Sequence, residues 1–409
     1  MDPTSLPAGL GPSGTGVRLG GMTALAESTT LAELTTLRVG GPAAAYLVTT
    51  TEAEFIAAIT QADDDGTPLL VIGGGSNLVV ADAGFPGLVL RDGRSGWILD
   101  SADACSGASV TVVAGQDWDG FVAAAVAERW VGLEALAGIP GTVGAAPVQN
   151  IGAYGAEVSD VLSKVRTWDR QERRVRTFAV GELALGYRTS LLKQTLGQAW
   201  SPTPRYVVLD VSFQLRRADV SRPLRYAELA RRLGREVGQR APLGEVREAV
   251  LGLRAAKGML AEHVVGGNTA APEHDRWSAG SFFTNPVLPL ERAERLLPAA
   301  APRYPVRAVI GAGMSGIYRT EVDPALVKTS AAWLIERAGF TKGYGLDGLA
   351  GGQSCSPATL STRHTLALTN RGGATAADIV SLARAICDGV QAKFGIELEP
   401  EPNLVGLTI

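Results

Sequence analysis

Cysteine and histidine are scarce, with three of each in 409 residues. Cys105, Cys355 and Cys387 stand far apart and fit no metal-binding or redox spacing; an odd, sparse count suits a reducing cytoplasm. His263, His274 and His364 form no ligand pattern, so no metal centre is expected. An excess of charge of one sign is also lacking. Thirty-eight Lys+Arg against 41 Asp+Glu give a net charge of −3 with no basic stripe, which argues against non-specific nucleic-acid binding. The basic clusters at 170–176 and 231–235 read as solvated faces. No apolar run reaches the length of a membrane span. The opening residues, 1–24, are rich in Gly, Pro, Ser and Thr without a basic start or an apolar middle, so they read as a flexible extension and not a signal peptide.

What the chain has is length, apolar residues and glycine. Hydrophobic residues at 46% and charged residues at 19% make it globular, and 409 residues suit two or three domains. Fifty glycines imply many loops and close backbone approaches. Apolar periodicity predicts strands around 45–48, 68–72, 87–91, 109–113, 165–168, 174–178 and 206–215 in the first half, with helices near 52–61 and 118–130. The second half reads as helices at 226–233, 243–256, 290–297 and 329–338, and a strand at 365–369. A long helix to 393 is capped by Thr375 with Asp378, and a last strand covers 396–398. Residues 258–276 and 306–324 look like irregular insertions, and 343–358 like a further one. The expected division is an extension at 1–24, a nucleotide-binding region at 25–217, a second domain at 218–394 and a C-terminal strand within 395–409 that returns to the active site.

Two glycine-rich loops carry the strongest chemical signal. The first, Gly73, Gly74, Gly75, Ser76, Asn77 and Leu78, follows an apolar strand. Consecutive glycines let several N–H groups point at one anion, and a diphosphate is the natural occupant. It is neither the G-x-G-x-x-G fingerprint nor a P-loop, since no G-K-[ST] follows. By itself it reads slightly better as a tight turn at a sheet edge. The second runs from Gly138 to Gly144 (GIPGTVG) and on through Gln149–Glu157 (QNIGAYGAE). Two such segments in one half can pinch a cofactor from two sides. Tyr154 could lie near its ring, or pack against the sheet.

The strings RVGGPA, IGGGSNL, GIPGTVGAAPVQNIGAYGAE, GYRTS, SAGSFFTNP and LEPEPNLVG follow one another in this order. In that succession the chain, from about residue 31 to 406, resembles the UDP-N-acetylenolpyruvoylglucosamine reductases, the MurB family. The resemblance implies an α+β protein: a vanillyl-alcohol-oxidase (PCMH) type FAD-binding fold followed by a separate α+β substrate-binding domain. It implies non-covalent FAD, NADPH as hydride donor and UDP-N-acetylglucosamine enolpyruvate as substrate, in cytoplasmic peptidoglycan precursor synthesis. In that family hydride passes through flavin N5 to C3 of the enolpyruvyl group, and a proton goes to C2.

Residue by residue, the resemblance carries three catalytic roles. Arg188, in GYRTS, would grip the substrate carboxylate and stabilise the enolate. Ser281, in SAGSFFTNP, would protonate C2. Glu401, chosen over Glu399 by its distance from the downstream Leu-Val-Gly, would be partly protonated and hydrogen-bond the enolate. Without the motifs, the same residues read as a surface arginine, a turn serine and a solvated C-terminal acid. The flavin is expected on residues 73–78 with Gly138, Ile139, Gly141, Gly144, Ala145, Asn150, Gly152, Ala153 and Tyr154. The substrate is expected on Tyr226, Lys257, Asn285, Tyr304 and Lys342. Tyr304 resembles the tyrosine on the substrate loop of the larger family type, and Lys328 rivals Lys342 for the diphosphate. The competing classes are an FAD oxidase of the same fold and a non-catalytic UDP-sugar or flavin-binding protein. The absence of histidine from the glycine loops argues against a covalent histidyl link in the first, and Arg188, Ser281 and Glu401 together argue against the second. Oligomeric state is not legible.

Overall fold

A computed structural model describes residues 29–103, 106–197, 200–260, 264, 273–312, 318–350 and 353–409. The N-terminal extension, Cys105 and His263 lie outside them. Among the described residues no helix is long and apolar enough to cross a membrane.

The first half holds two sheets. A small parallel sheet runs in the order Ala43–Thr49, Phe85–Asp92, Leu69–Ile72. The helix Glu52–Asp64 lies on it and buries Phe55, Ala58, Ile59 and Ala62 against Leu47, Leu69, Leu88 and Leu90. Its start is fixed by a reciprocal cap in which the Glu54 N–H donates to Thr51 Oγ1 at 3.2 Å and the Thr51 N–H donates to Glu54 Oε2 at 3.1 Å. The second sheet is antiparallel, ordered Arg174–Ala179, Leu162–Asp169, Tyr206–Arg217, Gly107–Val113, Trp97–Asp103. Its central strand, Tyr206–Arg217, is buried along most of its length because it also carries Val207 and Leu209 into the core of the parallel sheet. The Trp97–Asp103 edge strand is exposed throughout, which removes the periodic signal that would have announced it.

Several sequence expectations are corrected. The helix expected to reach residue 130 ends at Ala127, because Arg129 turns left-handed (φ 60°) and Trp130–Val131 joins the central strand. Part of the supposed irregular segment 306–324 is an antiparallel hairpin, Tyr304–Ala312 against Tyr318–Lys328, with residues 313–317 outside the described set. The strand expected at 396–398 is an unpaired stretch that buries Ile396 and Leu398 and exposes Glu397. The paired strand is Asn403–Val405, which runs parallel to Leu78–Val80 directly after the first glycine loop.

The expected cut near residue 217 falls inside one core. Leu224, Leu229, Ala230, Ala241, Val246 and Val250 pack with Trp118, Phe121, Phe213 and Leu215 of the first half. The helices Ala227–Arg232 and Leu243–Ala256 therefore belong with the cofactor-side sheet, since their apolar faces have no other core to enter. The second core gathers Phe282, Phe283, Leu288, Leu334, Ile335 and Leu360 around the long helix Ala376–Phe394. That helix begins at the expected Thr375–Asp378 capping box and ends on Gly395 in the left-handed region.

Candidate active site

One large cleft, of about 2030 Å³, lies where the glycine loops, the first core and the C-terminal tail meet. The two loops touch. A Cβ on Gly74 would come within 2.8 Å of Gly141 Cα, and one on Gly73 within 2.6 Å of Thr142 Oγ1. Gly75 is left-handed (φ 62°), and a Cβ there would sit 1.9 Å from the Leu34 carbonyl oxygen. Ser76 Oγ donates to the Pro140 carbonyl at 2.9 Å, which ties the loops together. The N–H groups of Gly74, Gly75 and Ser76 donate to no acceptor among the described residues. A cradle of free backbone donors beside a long cleft fits the diphosphate of a dinucleotide.

Of the expected cofactor residues, 73–78, Ile139, Gly141, Gly144, Ala145, Gly152, Ala153 and Tyr154 line the cleft, whereas Gly138 and Asn150 do not. Asn150 is buried and left-handed (φ 48°). Its Nδ2 donates to Glu157 Oε2 at 2.9 Å and to the Gly186 carbonyl at 3.0 Å, so it braces the second loop against the Tyr187–Arg188 turn. The Gly138 carbonyl accepts from Arg254 Nε at 2.9 Å.

At the other end of the loops stand the three catalytic candidates, all lining the cleft. Arg188 is itself left-handed (φ 56°). Its Nη2 donates to the Gly152 carbonyl at 2.8 Å, and its Nε lies 2.9 Å from Glu401 Oε1 without being well aimed at it. Glu401 is 9% exposed, and its backbone N–H donates to the Phe282 carbonyl at 2.9 Å, which sets it beside the segment carrying Ser281. Burial pushes the Glu401 carboxyl above the ordinary glutamate range, against the pull of Arg188 and Lys193. The tail reaches this place because Asn77 Nδ2 donates to the Glu401 carbonyl at 3.3 Å and to Gln149 Oε1 at 2.8 Å, while the Asn77 carbonyl accepts from the Asn403 N–H at 2.9 Å. One asparagine of the first loop thus ties the second loop and the tail.

Among the substrate candidates, Tyr226, Lys257 and Asn285 line the cleft. Lys257 Nζ donates to Glu228 Oε2 at 2.8 Å and lies 5.4 Å from the centre of the Tyr154 ring, which meets Tyr226 edge-on at 5.6 Å. The Asn285 N–H donates to the Tyr187 hydroxyl at 3.2 Å. Lys328 lines the cleft over the Tyr187 ring, 4.4 Å from its centre, and burial lowers its pKa. Lys342 is exposed and outside the lining. Tyr304 is 46% exposed at the base of the hairpin, opposite Lys328 in register, and also outside the lining.

Sequence reading passed over Tyr187, Gln149 and His364. The first two lie inside motifs already singled out and could have been found there. His364 lines the cleft, accepts the Leu366 N–H on Nδ1 at 3.1 Å, and is driven down to about 4 by burial and then by Lys257 and Lys342. Only folding brings those charges to it.

Touching glycine loops with free backbone donors, set in one cleft with a partly buried Arg–Glu pair and a serine, have the form of a nucleotide-cofactor site. Comparison with known proteins agrees. Residues 43–177 match the FAD binding domain, and residues 271–405 match the UDP-N-acetylenolpyruvoylglucosamine reductase C-terminal domain. The UDP-N-acetylenolpyruvoylglucosamine reductase of Nocardia farcinica is 50% identical over 94% of this chain and 90% of its own. That of Thermobifida fusca is 46% identical over 95% of this chain and 99% of its own. The crystal structure of the enzyme from Thermus caldophilus superposes with a TM-score of 0.55 at 26% identity, covering 92% of this chain and 97% of that one. The chain belongs to the UDP-N-acetylenolpyruvoylglucosamine reductase family.

Proposed function

We propose that this protein reduces the enolpyruvyl group of UDP-N-acetylglucosamine enolpyruvate to the lactyl ether of UDP-N-acetylmuramate, with NADPH as reductant, in peptidoglycan precursor synthesis. The observation that carries the reading is the Arg188–Glu401 pair, a buried carboxyl beside a partly buried guanidinium, which shares one cleft with Ser281 and both glycine loops. Bound FAD would supply the hydride relay between NADPH and the enolpyruvyl group.

The remaining work falls to the chain. Residues 73–76 hold the cofactor diphosphate on backbone N–H groups. The Arg188 guanidinium takes the substrate carboxylate and stabilises the charge that builds there. Glu401, whose carboxyl burial pushes toward the neutral form, donates a hydrogen bond to the enolate when protonated. Ser281 Oγ–H gives its proton to C2. Lys257 and Lys328, both in the cleft, bind the anionic parts of the substrate, with Lys328 preferred to the exposed Lys342 for the diphosphate. Tyr226 and Asn285 position the substrate, and Tyr304 closes over it from the hairpin. The cytoplasm, where NADPH is supplied, is the proposed compartment.

An anaerobic visible spectrum tests the whole reading. The flavin band should bleach with NADPH and return with the enolpyruvyl substrate. A band that returns only with oxygen would point to an oxidase, and a chain that takes up no FAD would remove the reading.

A further inference from the structure

Beside Arg188 and beneath Lys328 stands a ring to which the proposed reaction gives no part. Tyr187 belongs to the tight turn at 186–189, in which the Gly186 N–H donates to the Thr189 carbonyl at 3.0 Å and the Thr189 N–H donates back to the Gly186 carbonyl at 3.3 Å. The turn is rooted in the first core, where Leu185 and Leu192 are buried on either side of it. The tyrosine nevertheless reaches elements of the second core. Its hydroxyl accepts the Asn285 N–H at 3.2 Å, and Asn285 Oδ1 accepts the Ala331 N–H at 2.9 Å, at the start of the helix Ala331–Arg337. Two residues past Asn285, Val287 is the register partner of Lys328, and the Thr329 N–H donates to the Pro286 carbonyl at 2.9 Å. The phenol is thus tied to the segments on both sides of Lys328.

The Lys328 ammonium lies over the face of this ring, 4.4 Å from its centre, and the Arg188 guanidinium carbon is 5.6 Å from the same centre. Among the described residues Lys328 Nζ has no carboxylate at ion-pair distance and no hydrogen-bond acceptor, and Glu157 acts on it only from farther off. The ring face is its one close partner there. Lys257 is held differently, by the Glu228 carboxylate, which an arriving anion must displace. A ring face stabilises an ammonium without a competing anion, so the N–H groups directed away from it stay free to donate. We propose that Tyr187 is a positioning residue for diphosphate recognition: its ring face holds the Lys328 ammonium in the cleft at a set place relative to Arg188, so that the ligand meets a preorganised cation. The proposal rests on the reading of Lys328 as the cation for the diphosphate of a UDP-sugar. One residue would then space the sites for the two anionic ends of the substrate, the diphosphate on Lys328 and the enolpyruvyl carboxylate on Arg188. A cation already held in place loses less freedom when the anion arrives, which is the source of the gain in affinity.

The experiment is a double-mutant cycle read by calorimetric titration of UDP into the FAD-loaded protein. Tyr187→Leu should weaken UDP binding by about 5- to 10-fold. Tyr187→Phe keeps the ring face and loses only the hydroxyl, so it should stay within about 2-fold of wild type. In the Lys328→Met background, itself weaker, Tyr187→Leu should add less than about 2-fold, because the cation on which the ring acts is gone. If Tyr187→Leu does not fold, Tyr187→pentafluorophenylalanine decides, since it keeps the ring's shape but reverses the charge of its face and should show the same loss. Unchanged UDP affinity in the folded variant would overturn the proposal. An equal loss with and without Lys328 would also overturn it, as would a Tyr187→Phe protein that binds as weakly as Tyr187→Leu. Wild-type protein that binds no UDP would remove the UDP-sugar reading of the cleft, and the proposal with it. The titration needs no turnover, so it stands apart from the anaerobic assay. A protein that shows the coupling but does not reduce the enolpyruvyl substrate would refute the reductase reading and leave the role of Tyr187 intact.

Discussion

The two walls of the cleft are built on different principles. The cofactor wall is made of backbone: glycines packed so closely that a single methyl group would collide with the facing loop or with Leu34. The opposite wall is made of long side chains, Arg188, Lys257, Lys328 and Glu401, each brought from a different element and each partnered by a neighbour. A diphosphate held by fixed N–H groups needs a rigid, water-poor cradle, and only glycine allows the approach. A substrate that must enter, react and leave is better met by charged side chains that can exchange partners, and under the proposed function Lys257, which here holds Glu228, would exchange it for an anion. The lesson is that one wall tolerates no added atom, whereas the other is sensitive to charge.

The sharpest way to break the comparison is to add one methyl group to the backbone wall. Gly75→Ala combines a left-handed φ with a 1.9 Å clash against a backbone oxygen, so it should cost about 3 kcal/mol or more and abolish FAD retention. The ratio of flavin to protein absorbance reads this directly, and a normally loaded variant would refute the rigid-cradle account. Ser281→Ala should act on the other wall alone. Bleaching by NADPH should keep its rate while reoxidation by the enolpyruvyl substrate falls by about 100-fold, which is a stopped-flow measurement.

Two smaller effects depend on pH and have opposite signs. His364 titrates at about 4 when folded and near 6.5 when unfolded. Its folded pKa is depressed, so its unfolded form binds the proton first and stability falls as pH drops from about 6.5 toward 4. The loss should be about 2 kcal/mol, and His364→Gln should lack it in denaturant titrations. Glu401 is raised above its usual 4.5. The protonated carboxyl favours the folded state, so stability falls as pH rises from 4.5 to the folded value. Relative to Glu401→Gln, the wild-type melting temperature should decline across that window. A flat difference between the two proteins would mean that burial does not govern this carboxyl.

Much of the cofactor wall was legible because its signal is local. GGGSN after an apolar strand, and GIPGTVG farther on, announce backbone geometry in the residues themselves. The substrate wall was less legible because its signal is long-range. Lys328 and Lys342 cannot be ranked by type or spacing. The hairpin that seats Lys328 over Tyr187 pairs residues whose alternation is weak, and its strands read as irregular. The helix Leu243–Ala256 was found to the residue from its apolar face, yet the core that face enters was not. A periodicity states that a face will be buried, not against what.

The sequence alone determined the local elements that need particular residues: the capping boxes at Thr51 and Thr375 and the left-handed glycines of the loops, because their energetics lie within a few bonds of each residue. It also carried the ordered motifs that mark the family. Tertiary structure decided where the tail docks, which lysine enters the cleft and how far Glu401 and His364 are displaced from their usual protonation. Those outcomes depend on burial and on charges brought in from other elements, most of them more than a hundred residues away in the chain, and neither exists until the two cores have closed around the cleft.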